Sequence, residues 1–258
     1  MRIGFQLPEE QTAAWAAEAD AAGVFALLVP AAGGLSAVLA PAVALATRDA
    51  RIVVPVALGS EHPVTLAEEL AVLDALTGGR LVALVDTGDL DAEAATEDVL
   101  LLRRALSGRP LRHRGARWTV PAGIAPDVSD SVIVTPGTTQ LELPVWLAGR
   151  AAPALAEATG LPVATTDPAL PLRQDGPQPA LAVLAGDLAA DRDLVTAWAT
   201  AGATLLLLAA PEGAAPGFLR DYVARYLIPE VAMVDFPRLM AETAPPPVWP
   251  GALSAIDE

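Results

Sequence analysis

The chain has 258 residues and a formal net charge of −15, contains no cysteine, and draws all 16 of its basic residues from arginine. Disulfides, thiolate metal sites and cysteine nucleophiles are therefore excluded, as are the Schiff-base and P-loop chemistries that need lysine, and so acidic a surface is repelled by nucleic acid and anionic membranes. At 53% apolar residues a sizeable core is available, and the length is near the ~250 residues of a (β/α)8 barrel.

The N-terminal MRIGFQLPEE lacks the apolar centre of a signal peptide and meets two glutamates early, so a cytoplasmic protein is expected. Ile3 to Leu7 reads as a first strand, and Glu9 to Ala22 as a helix stopped at Gly23. The uncharged run from Ala21 to Thr47 is long enough to cross a bilayer, but Gly23, Pro30, Gly33, Gly34 and Pro41 divide it into a buried β-α unit. Its strand is Phe25 to Val29, and its helix is capped by Ser36 and ends at Thr47.

Ile52 to Leu58 is rich in β-branched residues and ends at Gly59. Pro63 suits the first turn of the next helix. There Leu66, Leu70, Leu73 and Thr77 share one face, Glu68, Glu69 and Asp74 are expected to face water, and Gly78 provides a left-handed stop. Leu81 to Val85 is a buried strand, and Asp91 to Leu106 a helix ending at Ser107-Gly108. The rhythm breaks from Leu111 to Leu143, where RHRGARWTV suggests a hairpin and VIVTP an extended stretch.

Pro144 to Leu147 resumes the pattern as a strand, followed by a helix from Ala151 to Thr159 that ends at Gly160. Pro162 to Thr165 is the sixth strand, after which the proline-rich segment 167–179 is too short for an ordinary crossover helix. Strands follow at Ala180 to Leu184 and Ala203 to Ala209, with helices at Leu188 to Ala201 and Gly217 to Val231. Eight near-continuous apolar strands with helices between most of them imply a parallel sheet covered on both faces. A (β/α)8 barrel over residues 1–240 is expected, with a proline-rich tail over 241–258. A doubly wound open sheet is second, since no strand leads into GxGxxG or GxxxxGK[ST].

A barrel's site lies at the C-terminal ends of its strands. Those ends offer Gln6, Pro8, Pro30, Ser60, Glu61, His62, Asp86, Thr87, Gly149, Arg150, Thr165, Thr166 and Asp167. Glu61 and Asp86 form a candidate carboxylate pair for acid-base work. His62 reads as a base or carbonyl-polarising group, or as the residue that opens its helix, and the second reading is favoured. Gly149 and Arg150 open a helix and so form a candidate anion site, with a plain surface arginine as the favoured alternative. His113, in the hairpin, is expected to be exposed. The two histidines lack metal-ligand spacing, so no metal site is expected. Trp249, in PPPVWPG, suits docking of the tail, on its own barrel rather than on a partner.

Three stretches in this order, RIVVPVALGSEHPVTLAEELAVLDALTGGRLVALV, LLRRALSGRPLRHRGARWTVP and TPGTTQLELPVWLAGRAAPALAEATGLP, resemble the bacterial luciferase-like family. The resemblance runs from Met1 to about Pro229. It implies a (β/α)8 barrel, oxidoreductase or monooxygenase activity with FMN or the deazaflavin F420 across the strand ends, and dimerisation through helices early in the barrel. The dimer would be a homodimer, or a heterodimer with a luciferase-like relative, through residues 36–47 and 63–76.

The sequence departs from the family pattern at three places. Pro30-Ala31-Ala32-Gly33-Gly34 after the second strand holds nothing that transfers a proton. After the fourth strand, Asp86-Thr87-Gly88 stands where the family places a phosphate-binding arginine and a long excursion. After the sixth strand, 167–179 replaces a longer substrate cover. The loops after strands 4 and 6 are thus shortened, and the active site is expected to be reduced. The alternative is a non-catalytic homologue, with no cofactor, acting as a structural or ligand-binding subunit.

Overall fold

Alternation along each strand sorts the side chains onto two faces, and both faces are buried. In the computed structural model, which describes residues 1–31, 36–121, 131–168 and 178–227, the strands are β1 (Arg2–Gln6), β2 (Ala26–Leu28), β3 (Arg51–Ala57), β4 (Leu81–Asp86), β5 (His113–Arg114), β6 (Thr119–Val120), β7 (Val145–Ala148), β8 (Pro179–Val183) and β9 (Leu205–Ala209). The helices are α1 (Thr12–Ala21), α2 (Ser36–Ala46), α3 (Pro63–Leu76), α4 (Ala92–Leu106), α5 (Ala152–Thr159) and α6 (Leu188–Ala201), followed by a π-helix over Leu219–Leu227. The Gly33-Gly34 turn, the proline-rich stretch 169–177 and the tail 241–258 with Trp249 lie outside the described residues.

The main sheet is entirely parallel, in the order β7-β4-β3-β2-β1-β9-β8. One face carries Leu28, Val53, Leu84, Trp146, Leu205 and Leu207 into a single inner cluster. The other carries Ile3, Phe5, Leu27, Ile52, Val85 and Leu206 against the helices. Gly4 belongs to the inner face, where a Cβ would strike Leu207 and the Ala26 carbonyl, so the missing side chain lets the leucine fill the centre.

The sixth strand forms no ladder of its own. Instead Val163 bridges Leu147 of β7 and Thr165 bridges Ala180 of β8. Leu147 N–H donates to the Pro162 carbonyl and Ala164 N–H to the Leu147 carbonyl, both at 2.8 Å. On the other side Thr165 N–H donates to Pro179 at 3.2 Å and Leu181 N–H to Thr165 at 2.9 Å. One thin stave thereby joins the two edge strands and closes the expected barrel.

Four helices each bury an aspartate that holds a neighbouring loop. Asp20 accepts the backbone N–H groups of Arg48, Asp49 and Ala50. Asp98 takes Arg117 through Nε and Nη2, and Trp118 through its indole N–H. Asp191 takes the N–H groups of Ala185 and Gly186 and the Tyr222 hydroxyl. Asp74 was expected in water but is fully buried, because Gln140 reaches it from the segment before β7. A buried carboxylate is tolerable when it accepts several such bonds.

Three further expectations change. The last helix is wound as a π-helix, and its expected end beyond Leu227 lies outside the described residues. His113 is not exposed but half-buried, its Nε2 at 3.0 Å from Glu97. Ala67 and Ala71, within the expected dimer face, point into the core at 0% and 1% exposure. Among the described residues the large apolar side chains that α2 and α3 expose are Val38, Leu45, Val72 and Leu76. The hairpin is confirmed as β5 and β6, paired antiparallel. Among the described residues no helix is long and apolar enough to cross a membrane.

Candidate active site at the barrel mouth

Parallel strands all deliver their last residues to one end of the barrel, and two adjoining cavities open there. The first, about 250 Å³, is lined by apolar residues such as Leu28, Pro30, Pro55 and Ala148, with Gln6 and Asp86 as its polar side chains. The second, about 390 Å³, lies towards α3 and adds Ser60, Glu61 and Glu69. Ala31, Pro55 and Asp86 line both. Two grooves of about 790 Å³ are also present. One lies at the foot of α4, where β7 begins; the other opens at the same end of the barrel, past the ends of β1 and β9, and shares Gln6 and Leu7 with the first cavity. Neither contains Ser60, Glu61 or Asp86.

Gln6 ends β1 on the inner face. Its Nε2 donates to the carbonyls of Leu207 at 2.9 Å and Ala182 at 3.3 Å, bracing the mouth across β9 to β8. Its amide oxygen is the atom left to meet a ligand. The signal for it was the strand period, which puts a polar residue inside the barrel at its last turn.

Asp86 ends β4, is exposed, and accepts the Gly88 N–H at 2.9 Å. It lies directly against Gly149, where a Cβ would collide with both the Asp86 carboxylate and the Thr87 hydroxyl. Gly149 also has φ +90, which only glycine adopts without strain. Thr87 is fully buried and its Oγ1 accepts the Ala151 N–H at 3.4 Å, fastening the end of β4 to the turn before α5.

That turn offers little to an anion. Ala151 precedes α5 without a side-chain cap, but its N–H goes to Thr87 and the Ala152 N–H goes to the Gly149 carbonyl. Pro153 has no N–H, which leaves Ala154 as the donor of that first turn without a protein partner. Arg150 is exposed and lines neither cavity.

Around the second cavity the structure brings Ser60, Glu61 and Asp86 together as lining residues. Ser60 Oγ donates to the Ala57 carbonyl at 3.0 Å. Burial, and secondarily the charge of Glu61, raises the Glu69 carboxyl above its ordinary value. Glu69 is exposed, as its helix pattern indicates, and it reaches the cavity rim because α3 starts at the mouth.

His62 and Thr165 are not part of either cavity lining. His62 opens α3, its Nδ1 accepting the Val64 N–H at 3.1 Å, and its ring meets Trp118 edge-on at 4.4 Å. Thr165 is 5% exposed, and its hydroxyl is engaged with the backbone of Asp167. Trp118 comes from the β5–β6 hairpin, which Glu97 and Asp98 of α4 hold down. Burial pushes the Glu97 carboxyl up, but hydrogen bonds from His113 and from the N–H groups of Arg117 and Trp118 outweigh it and pull it down to about 2. Among the described residues no cluster of histidines and carboxylates could hold a metal ion.

Comparison with known proteins agrees with this architecture. A family model described as luciferase-like monooxygenase matches residues 6–171. An F420-dependent secondary alcohol dehydrogenase, solved with an F420-acetone adduct, shares 14% identity over 90% of this chain and 99% of its own, at a TM-score of 0.69. The coenzyme F420-dependent tetrahydromethanopterin reductase of Methanopyrus kandleri shares 13% over 90% of this chain and 100% of its own, at 0.70. The monooxygenase RslO1 of Streptomyces bottropensis shares 21% over 78% of this chain and 65% of its own, at 0.53. At such identities these likenesses establish the fold. No curated protein matches the sequence.

Proposed function

The chain belongs to the luciferase-like monooxygenase family, and from that membership we propose that it is a cytoplasmic oxidoreductase whose barrel mouth holds the ring of a flavin-type cofactor, FMN or F420. The observation that carries this reading is the mouth cavity itself. It sits at the strand ends, has an apolar lining, and carries two polar side chains, Gln6 and Asp86. Ligand sites have this composition: an apolar bed for bulk and a few polar groups for orientation. Structural neighbours named for F420 support the choice of ring.

The residues fit the ring better than its phosphate. Leu28, Pro30 and Pro55 would exclude water from one face, while the Gln6 oxygen, fixed by the two bonds of its amide nitrogen, would orient an N–H edge. A bound flavin-type group would supply hydride transfer or oxygen activation. Glu61 and Asp86 are the side chains placed to move a proton, with Glu69 behind them holding its proton more tightly than an ordinary carboxylate. Among the described residues no comparable set of donors awaits the phosphate.

The test is a titration of the purified protein with FMN, reduced FMN and F420, read by tryptophan quenching and by calorimetry. Saturable binding of one of them is expected. No binding by the folded protein would overturn the reading and favour the second one, a non-catalytic homologue serving as a structural or ligand-binding subunit. The observation behind that alternative is the carboxylate of Asp86 against Gly149 beside a helix start that has few free donors. In either case the partner proposed is a second luciferase-like barrel, the same chain or a relative, meeting the apolar face of Val38, Leu45, Val72 and Leu76.

A further inference from the structure

We infer that Asp86 makes the mouth select an uncharged ring compound over its phosphorylated form. The inference rests on the reading that the mouth takes a flavin-type ring, and it concerns this chain's own charge pattern. Asp86 is one of three residues that line both cavities, so a ligand in either one lies close to its carboxylate. Among the described residues the other charged side chains lining the two cavities, Glu61 and Glu69, are also acidic, and neither lining includes an arginine.

The start of α5, where Arg150 stands exposed outside both linings, meets Asp86 through Gly149. Two of its backbone donors are taken, Ala151 N–H by Thr87 and Ala152 N–H by the Gly149 carbonyl, and Pro153 has none. The negative end of that contact is already supplied by Asp86 itself. A phosphate monoester carries a charge of about −1.5 to −2 at neutral pH. Placed in this mouth it meets carboxylates and, among the described lining residues, no compensating cation, whereas the same ring without phosphate meets no such repulsion. Asp86 is a specificity-determining residue, and its side chain is held for that role by the Gly88 N–H at 2.9 Å.

The experiment is a calorimetric titration of the full chain with riboflavin and with FMN, for the parent and for Asp86→Asn, at low and high salt. Asparagine keeps an oxygen for the Gly88 N–H and removes the charge. The parent is expected to bind riboflavin about tenfold tighter than FMN, with the gap narrowing in high salt. Asp86→Asn should bring FMN to about the affinity that the same variant shows for riboflavin. Equal or tighter binding of FMN by the parent overturns the inference and leaves the ring site standing. Failure of both compounds to bind the folded parent overturns the ring site and the inference together. If Asp86→Asn does not fold, the salt series on the parent decides: a gap that does not respond to salt overturns the role of charge.

Discussion

Gln140 donates two hydrogen bonds to the buried carboxylate of Asp74, from its backbone N–H at 2.9 Å and from Nε2 at 2.8 Å. The pair ties α3 to the segment that leads into β7, and Nε2 also reaches the Leu81 carbonyl at 2.8 Å. Asp74→Ala leaves two donors facing an apolar gap and should cost about 2–4 kcal/mol. Urea denaturation measures this; an unchanged midpoint would show that water replaces the aspartate without loss.

The Glu97 latch predicts a pH dependence of a definite sign. Its folded carboxyl titrates at about 2, below the ordinary 4.5. The folded state therefore binds fewer protons than the unfolded one between those values, and the stabilisation is present above pH 4.5 and lost as the pH falls towards 2. Glu97→Gln should be less stable than the parent at neutral pH, and the two denaturation curves should converge as the pH drops through that window. A difference that stays constant to low pH would rule out the carboxylate as its source.

Gly149→Ala should be destabilised by about 1–3 kcal/mol, since the new methyl meets Asp86 and Thr87 at a φ of +90. Combining it with Asp86→Ala should recover part of the lost melting temperature, because one of the two obstacles is then gone. Additive losses in the double variant would show that strain in the backbone, and not the collision, sets the cost.

Leu45 is 89% exposed and Leu76 58% exposed, on adjacent helices of the proposed interface. Arginine at either position should shift the protein towards monomer in sedimentation velocity with little change in melting temperature. The same substitution at Ala67 or Ala71 should instead unfold it, as both are buried. An unchanged sedimentation coefficient for both leucine variants would remove this face from any dimer.

The alternation of apolar strands and helices carried the barrel, because burial on both faces leaves a signal of composition that local pattern preserves. Gly78 and Gly160, both at positive φ, ended their helices as the sequence indicated. The sixth strand was misread in strength: four residues can hold two bridges without forming a ladder, and only their neighbours decide which. Asp74 and His113 differ from expectation for one reason. Each looks solvated within its own element, and its burial or pairing comes from a distant residue: Gln140 for Asp74, Glu97 for His113. The mouth was legible as a set of strand ends. Which of those ends share a cavity was not, since His62 and Thr165 turn their polar atoms to backbone while Ser60, Glu61 and Asp86 line one space.

The stave at residues 162–165 gives the cylinder a clasp. The seven-strand ladder runs unbroken from β7 round to β8, and four backbone hydrogen bonds fasten its two edges through the clasp. Undoing those four bonds would leave a C-shaped band with every other ladder whole, a far smaller disruption than parting β3 from β4. Opening of the rim should therefore start there. Amide exchange should proceed sooner at Leu147, Ala164, Thr165 and Leu181 than anywhere along the β3–β4 pair.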